Sequence, residues 1–383
     1  ALHNTGPLSI RAYWKVVRPA KSCHLDIWDK EGPWRSGRRE ELQRGRGREV
    51  TFTRGLQEAR DPSLDLHYYA PTSYPIDNRR PFSPLHSLLS VQAKGYDLVH
   101  ITHQRQHYFP QLWGAKCIVT LHDLNFLTEP LPESKRKKLL KLVASNLNRA
   151  HGIVCISEFV RHDLEQHREL FQISEETPIT VVHNGIFLPE EGQTSGITRD
   201  PIVPNAPYLL ALGVLHEKKQ QHLLIPALCH LPADLHLVLV YSEAKSEYIS
   251  KIQHTIQQYR LEDRVHLLCA VSDVEKASLL QHCRALLQPS IAEGFGLPVV
   301  EAMALGKPIF LRPATSLPEV GGDVAYYFDE VSPEAIAGTI LSGLSAYDMS
   351  PSQAEALRAR ARLFDYRRMA QGYLQFYHEI LSI

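Results

Sequence analysis

The sequence predicts an α/β fold in two blocks, each a parallel sheet covered by helices, and three observations predict it. Short β-rich apolar runs alternate with longer amphipathic stretches through most of the 383 residues, as strand–helix–strand units require. The alternation occurs twice. Between the two occurrences lies a stretch rich in proline, glycine and acidic or hydroxyl residues, 187–207, which has the composition of an interdomain linker.

In the first block, strands are expected at 64–69, 97–102, 117–121, 153–156 and 180–182, each ending in polar residues. Leucines 139, 140, 142 and 147 recur with a helical period over residues 134–149, leaving a basic outer face. In the second block, strands are expected at 208–212, 236–240, 265–268, 285–288 and 309–311. A last helix over 365–383 carries Tyr366, Met369, Tyr373, Phe376, Tyr377 and Ile380, an apolar face broad enough to cover a large surface. The expected domains are therefore 1–187, with helix 365–383 packing back on it, a linker at 188–206, and 207–364. The first 60 residues fit this pattern least: the block should open on a buried strand, and its best candidate, 24–28, is only weakly apolar. The run GRGRE at 45–49 reads either as a glycine turn opening a helix through 54–59 towards a phosphate-bearing ligand, or as a solvated basic segment.

Length favours two domains over one core, and 44% apolar with 22% charged residues is the balance of an ordinary globular protein. Lys plus Arg and Asp plus Glu both number 42, so no net field draws the chain to nucleic acid or anionic lipid, and any anion site must be local. Nucleic acid is not an expected partner. The six cysteines are scattered, mostly inside apolar runs, and read as buried thiols in a reducing compartment. No run reaches the ~18 apolar residues that span a bilayer, and no signal-peptide core opens the sequence. A cytoplasmic location is expected, with peripheral contact at the inner face of the membrane left open, since docking needs only a modest patch.

The segment PSIAEGFGLPVVEAMALGKP, 289–308, follows a candidate strand and passes through a glycine-rich turn into a helix. Gly294 and Gly296 allow a tight turn and close approach to a ligand, and the N–H groups opening the next helix carry partial positive charge. Pro298 fits the first helical turn, and the helix can stop at Gly306. Glu293 on the loop and Glu301 one turn into the helix are placed to accept hydrogen bonds from two polyol parts of one ligand. On spacing alone, a loop carboxylate near the helix start and a solvated helix residue are the commoner explanation. His122 and Asp123 should emerge at the carboxyl end of strand 117–121, where ligands bind in open α/β sheets. His100, His103 and His107 straddle a strand end without any zinc-type motif, and His103, Gln104, Arg105 and His107 read instead as lining a ligand cleft after a strand of the first block.

The string EGFGLPVVEA, 293–302, resembles the EGFGLP-x-x-EA signature of the large family 4 of retaining glycosyltransferases, the glycosyl transferases group 1. Weaker resemblances follow in family order: LHDLNFL from Leu121, IVCISEFVRHDL from Ile153, VVHNGI from Val181, SLPEVGGDVAYYFD from Ser316 and RLFDYRRMAQGYLQFY from Arg362. The resemblance implies the GT-B fold, two Rossmann-like doubly wound domains facing across a cleft, with donor held mainly by the second and acceptor mainly by the first. It implies that Glu293 contacts the donor sugar, that the loop of Gly294, Phe295, Gly296 and Leu297 contacts sugar and phosphate, and that Glu301 binds the ribose. LGVLHEKKQ, 212–220, resembles the strand-end glycine, here Gly213, followed by a lysine, here Lys219, that neutralises the diphosphate. Many relatives carry arginine directly after that glycine; Val214 stands here, with Lys218 as a substitute that offers a point charge and not a fork. His122 is implied to face the donor sugar, with His103, Arg105 and Asp123 on the acceptor side.

No Asp-x-Asp is present, so the expected activity needs no metal and no cofactor. It is retaining transfer of a hexose from a nucleotide-sugar, GDP-mannose or a UDP-hexose, to a glycan or lipid-linked acceptor in polysaccharide biosynthesis. The GDP-mannose preference comes from KKQ, 218–220, which resembles the RKN form of bacterial mannosyltransferases. The alternatives are an epimerase or phosphorylase-like enzyme of the same fold, and a catalytically silent nucleotide-sugar-binding relative.

Overall fold

A computed structural model of the chain describes residues 8–13, 47–59, 61–70, 79–81, 95–106, 111–189, 200, 202 and 204–383. These divide into two compact units, one holding the described residues up to 187 together with 364–383, the other holding those from 188 to 363.

In the first unit, strands β1 (Leu8–Tyr13), β2 (Leu64–Ala70), β3 (Arg79–Pro81), β4 (Leu98–Ile101), β5 (Lys116–Leu121), β6 (Gly152–Cys155) and β7 (Ile179–Val181) form one sheet in the order β3-β2-β1-β4-β5-β6-β7. Every pairing is parallel. Helices α1 (Gly47–Ala59), α2 (Glu133–Leu147) and α3 (Glu158–Gln166) make crossovers. The start of α3 shows why the chain turns where it does: Ser157 has extended backbone and its hydroxyl accepts from Val160 N at 3.2 Å, satisfying a first-turn donor.

The second unit repeats the plan. Strands β8 (Tyr208–Leu212), β9 (His236–Tyr241), β10 (Val265–Cys269), β11 (Ala285–Gln288), β12 (Ile309–Leu311) and β13 (Tyr326–Tyr327) pair in parallel in the order β10-β9-β8-β11-β12-β13. Around them lie α4 (Leu224–Ala227), α5 (Ser246–Tyr259), α6 (Asp273–His282), α7 (Leu297–Ala304), α8 (Leu317–Gly321), α9 (Pro333–Met349) and α10 (Ser352–Ala361). Every residue of β8, β11 and β12 is buried, which is why these strands read as unbroken apolar runs and not as alternating ones. The closing helix, α11 (Tyr366–Ser382), returns to the first unit. One apolar cluster joins its Tyr366, Met369, Tyr373, Phe376 and Ile380 to Phe52 and Leu56 of α1 and to Leu98, Ile118 and Val154 of the sheet.

The entry into α11 is tied to the end of β7. Ile186 N donates to Phe364 O at 2.9 Å and Tyr366 N donates to Ile186 O at 3.1 Å. Gly185 permits that approach: a Cβ on it would lie 2.5 Å from Tyr366 Cα and 2.9 Å from Tyr366 N.

A polar network lies under α11. His100 is fully buried, its Nδ1 2.8 Å from Tyr377 Oη and its Nε2 2.8 Å from Thr120 Oγ1, which in turn lies 3.1 Å from Tyr373 Oη. Burial first, and then the nearby His122, pushes the His100 imidazole down to about 3, so it is neutral in the folded protein and protonates readily only when unfolded. Stability attributable to His100 is therefore complete above pH 6.5 and declines as pH falls from there towards 3, by ~1.4 kcal/mol per unit. Measured by denaturant midpoint against pH, His100→Gln is expected to be less stable at pH 7 and to lose less than the wild type between pH 6.5 and 4.5.

Strand and helix positions differ from the sequence expectations in instructive places. The expected opening strand, 24–28, lies outside the described residues, and the sheet opens on β1 instead. Strands β3 and β13, of three and two residues, were too short to show a period. The helix expected through 54–59 begins at Gly47, inside the run read as a glycine turn, and the linker is described only in part. The cysteines are not uniformly buried: Cys117, Cys155 and Cys283 are, but Cys269 is half-buried and Cys229 exposed on the short helical turn after α4.

Candidate functional site

In an open parallel sheet, ligands gather at the carboxyl ends of strands where the order reverses. In the second unit that point lies between β8 and β11, and their two exits carry the residues singled out in the sequence. After β8 comes Gly213, with φ +149, its N–H bonded to Val240 O at 3.0 Å. A side chain at Gly213 would meet only Lys219 Cε, at 3.9 Å, so the backbone here lies open beside the lysine. The chain then forms a short turn, Glu217–Lys219, opened by His216, whose Nδ1 accepts from Lys218 N at 3.2 Å. The two exits are stitched together by Ile291 N donating to Lys218 O at 2.9 Å.

Lys219 and Glu293, 74 positions apart, meet as an ion pair, with their side chains only 14% and 10% exposed. Gln288 Nε2 also donates to Glu293 Oε1, and bonds Ser290 Oγ at 2.9 Å. Burial alone would raise the Glu293 carboxyl, but the Lys219 ammonium and the hydrogen bonds from Lys219, Ser290 and Gln288 outweigh it and hold the carboxyl below its ordinary value. The backbone of Glu293 is fixed from the other side, where its N–H donates to Thr315 Oγ1 at 3.0 Å and its carbonyl accepts from Ser316 Oγ at 3.0 Å. Thr315 has φ +54, a left-handed conformation that a β-branched residue adopts only under constraint. Sequence reasoning singled out the segment from Ser316 but not Thr315, and nothing in its spacing marks it.

Beyond Glu293 the loop runs through Gly294 and the buried Phe295 to Gly296, whose φ of +100 turns the chain into α7. A Cβ on Gly296 would lie 3.1 Å from Leu317 Cδ2. No side chain caps α7, and Pro298 occupies its first turn beside Leu297, leaving a helix N-terminus suited to an anion. Glu301, one turn in, pairs with Lys276 of α6 at 2.8 Å. Lys276 was not foreseen, since a single lysine on a helix carries no signal of its partner.

In the first unit, the exits of β4 and β5 bring His103, Arg105, His122 and Asp123 together. His103 and His122 stack with centroids 4.8 Å apart. Arg105 Nη2 pairs with Asp123 Oδ1 at 3.2 Å, and its guanidinium lies over the Phe126 ring, 5.5 Å from the centroid. His122 Nε2 lies 2.9 Å from Thr102 O; because a carbonyl only accepts, Nε2 carries the hydrogen. His100 belongs to the network under α11, and His107 lies outside the described residues. Among the described residues, no three His, Cys, Asp or Glu side chains gather as a metal site, and no helix is long and apolar enough to cross a membrane.

Comparison with known proteins bears on both units. The chain is 25% identical over 252 residues to the O-antigen chain mannosyltransferase B of Escherichia coli, a match covering 64% of this chain and 65% of that protein, just under two thirds of its length. To the uncharacterized glycosyltransferase MJ1178 of Methanocaldococcus jannaschii it is 24% identical over 306 residues, covering 76% and 77%. Among solved structures, a glycosyltransferase from Rickettsia africae superposes with a TM-score of 0.65 at 17% identity, over 98% and 99% of the two chains. HepE of Anabaena, in complex with UDP-glucose, superposes with a TM-score of 0.69 at 19% identity, over 97% and 100%. These likenesses establish the fold as that of the GT-B glycosyltransferases. The family described as Glycosyltransferase Family 4 matches residues 39–188 and the family described as Glycosyl transferases group 1 matches 198–363, so that between them these two models span most of the chain, and it belongs to the glycosyltransferases they describe.

Proposed function

We propose that the protein transfers a hexose from a nucleotide-sugar, GDP-mannose or a UDP-hexose, to a glycan or lipid-linked acceptor, with retention of configuration and without a metal. The observation that carries this reading is the buried Lys219–Glu293 pair set at the β8/β11 switch point, directly before the uncapped start of α7. An ammonium, a carboxylate and a helix N-terminus in that order suit a diphosphate joined to a polyol. Lys219 and the α7 N-terminus offset charge on the diphosphate as its bond to the sugar breaks, Glu293 accepts from sugar hydroxyls, and Glu301 accepts from the ribose. The sugar's anomeric carbon leaves the diphosphate oxygen and joins the acceptor oxygen on the same face, and the acceptor proton passes to the departing phosphate. His122 faces the donor sugar, and His103, Arg105 and Asp123 bind the acceptor. The mannosyltransferase named among the relatives supports mannose, and the UDP-glucose complex among the structural neighbours supports a UDP-hexose.

The test is thermal shift of wild type and Glu301→Ala with UDP, GDP, UDP-glucose, UDP-N-acetylglucosamine, GDP-mannose and ADP-glucose, in EDTA. A ligand at about 100 times its Kd stabilises by ~2.7 kcal/mol, which is a shift of several degrees. A shift with one nucleotide family that the variant loses is the expected result. Absence of any shift in EDTA, with one restored by manganese, would overturn the metal-free reading. Binding without turnover on any acceptor would favour a silent relative.

A further inference from the structure

The geometry points to Gln104 as the positioning residue that sets His122, acting through a buried carboxamide which holds at once the two residues that follow the strand end at Leu121. The inference rests on the role given to His122 above. Gln104 is fully buried just beyond β4. Its Oε1 accepts from His122 N at 3.1 Å, and its Nε2 donates to Asp123 O at 2.7 Å. One amide thus pairs with the backbone of two successive residues at the point where β5 has ended and its own ladder no longer fixes the chain. Gln104 is itself held: Asn146 of α2 donates to Gln104 O at 3.0 Å and to Gln106 O at 2.9 Å.

This fixes the imidazole as well as the backbone. With the His122 backbone pinned to Gln104, the ring spans back to Thr102 O, two residues before Gln104, through Nε2, and lies against His103, the residue between them. The carbonyl selects the Nε2–H tautomer, so in the neutral ring Nδ1 holds the lone pair. Nδ1 is itself buried, so what meets the sugar is the exposed part of a half-buried ring whose orientation is fixed. No apolar residue and no carboxylate can replace Gln104 here, because the site needs one acceptor and one donor on a planar group. A glutamate would set a charge against the Asp123 carbonyl.

The experiment compares His122→Ala, Gln104→Glu, Gln104→Leu and the double variant His122→Ala/Gln104→Leu. It reads nucleotide release from whichever of GDP-mannose or UDP-glucose shifts the melting temperature, nucleotide affinity, and the His122 ring tautomer by nitrogen NMR of histidine-labelled protein. The expected result is a kcat lowered about 10- to 100-fold in both Gln104 variants, an unchanged nucleotide Kd, loss of the single Nε2–H tautomer, and a double variant no slower than His122→Ala. Gln104→Glu keeps the volume and the test intact where Gln104→Leu does not fold. If His122→Ala is slow while the Gln104 variants keep wild-type kcat and tautomer, or if the losses multiply, the inference is wrong and the role of His122 stands. If His122→Ala is as fast as wild type, the role of His122 fails and the inference falls with it.

Discussion

Lys219→Met is expected to lower transfer by about two to three orders of magnitude and to destabilise the second unit by roughly 3 kcal/mol. Both effects have one origin. Glu293 is ionised, nearly buried, and balanced by a single ammonium; without it, the carboxylate keeps only the dipoles of Gln288 and Ser290. A buried charge left alone costs more than the pair ever contributed. The double variant Lys219→Met/Glu293→Gln should therefore recover most of the lost stability while recovering no activity, and that divergence separates folding from chemistry. The pH dependence has a definite sign. Because the Glu293 carboxyl is held below its ordinary value, the pair's contribution is complete above that ordinary value and is lost as pH falls through the lower, folded one. Were Lys219→Met as stable and as fast as the wild type, the pair would be an incidental contact.

Gly185→Ala is expected to destabilise the first unit by roughly 3 kcal/mol, lowering its melting temperature by about 6–12 °C. The added methyl would collide with the backbone of Tyr366 at 2.5 Å and 2.9 Å, and a backbone cannot rotate aside as a side chain can. Relief requires separating β7 from the entry to α11, which breaks the bonds from Ile186 N and Tyr366 N. Gly338, where a Cβ would meet nothing within 4 Å, is the control: alanine there should leave stability unchanged or slightly raised. Differential scanning calorimetry of the two variants decides it, and equal melting temperatures would remove the clip from the account of this unit.

The loop between β11 and α7 was legible in the sequence because strand, glycine turn and helix follow one another locally, so that Glu293, Gly296 and Pro298 announce their own geometry. Strands β8, β11 and β12 were legible because burial on both faces leaves only apolar residues. Strand β1 was not. Although paired on both edges, by β2 and β4, its LSIRAY alternates Ser9 and Arg11 with apolar residues, and an arginine-rich surrounding hides so short a run. What lies far apart in sequence was invisible for a plainer reason. Neither the meeting of Lys219 with Glu293, nor that of Lys276 with Glu301, nor the use of a buried Gln104 to hold Asp123 follows from any local period. Topology alone brings them together. The resemblance to a family named several of these residues, and the structure supplies their partners.

Of the fifteen described residues in the apolar cluster over the first unit's sheet, eight belong to α11, and this has a consequence for synthesis. A ribosome working at about 5–20 residues per second needs roughly 10–40 s to pass from residue 187 to residue 366. Throughout that interval β4, β5 and β6 have emerged, yet the helix that covers them has not been made. Most of the second unit, encoded in between, is made while the earlier one waits with an open apolar sheet face. Chains ending at residue 363 and carried clear of the ribosome by an appended polar linker should be cut by protease in the first unit and spared in the second.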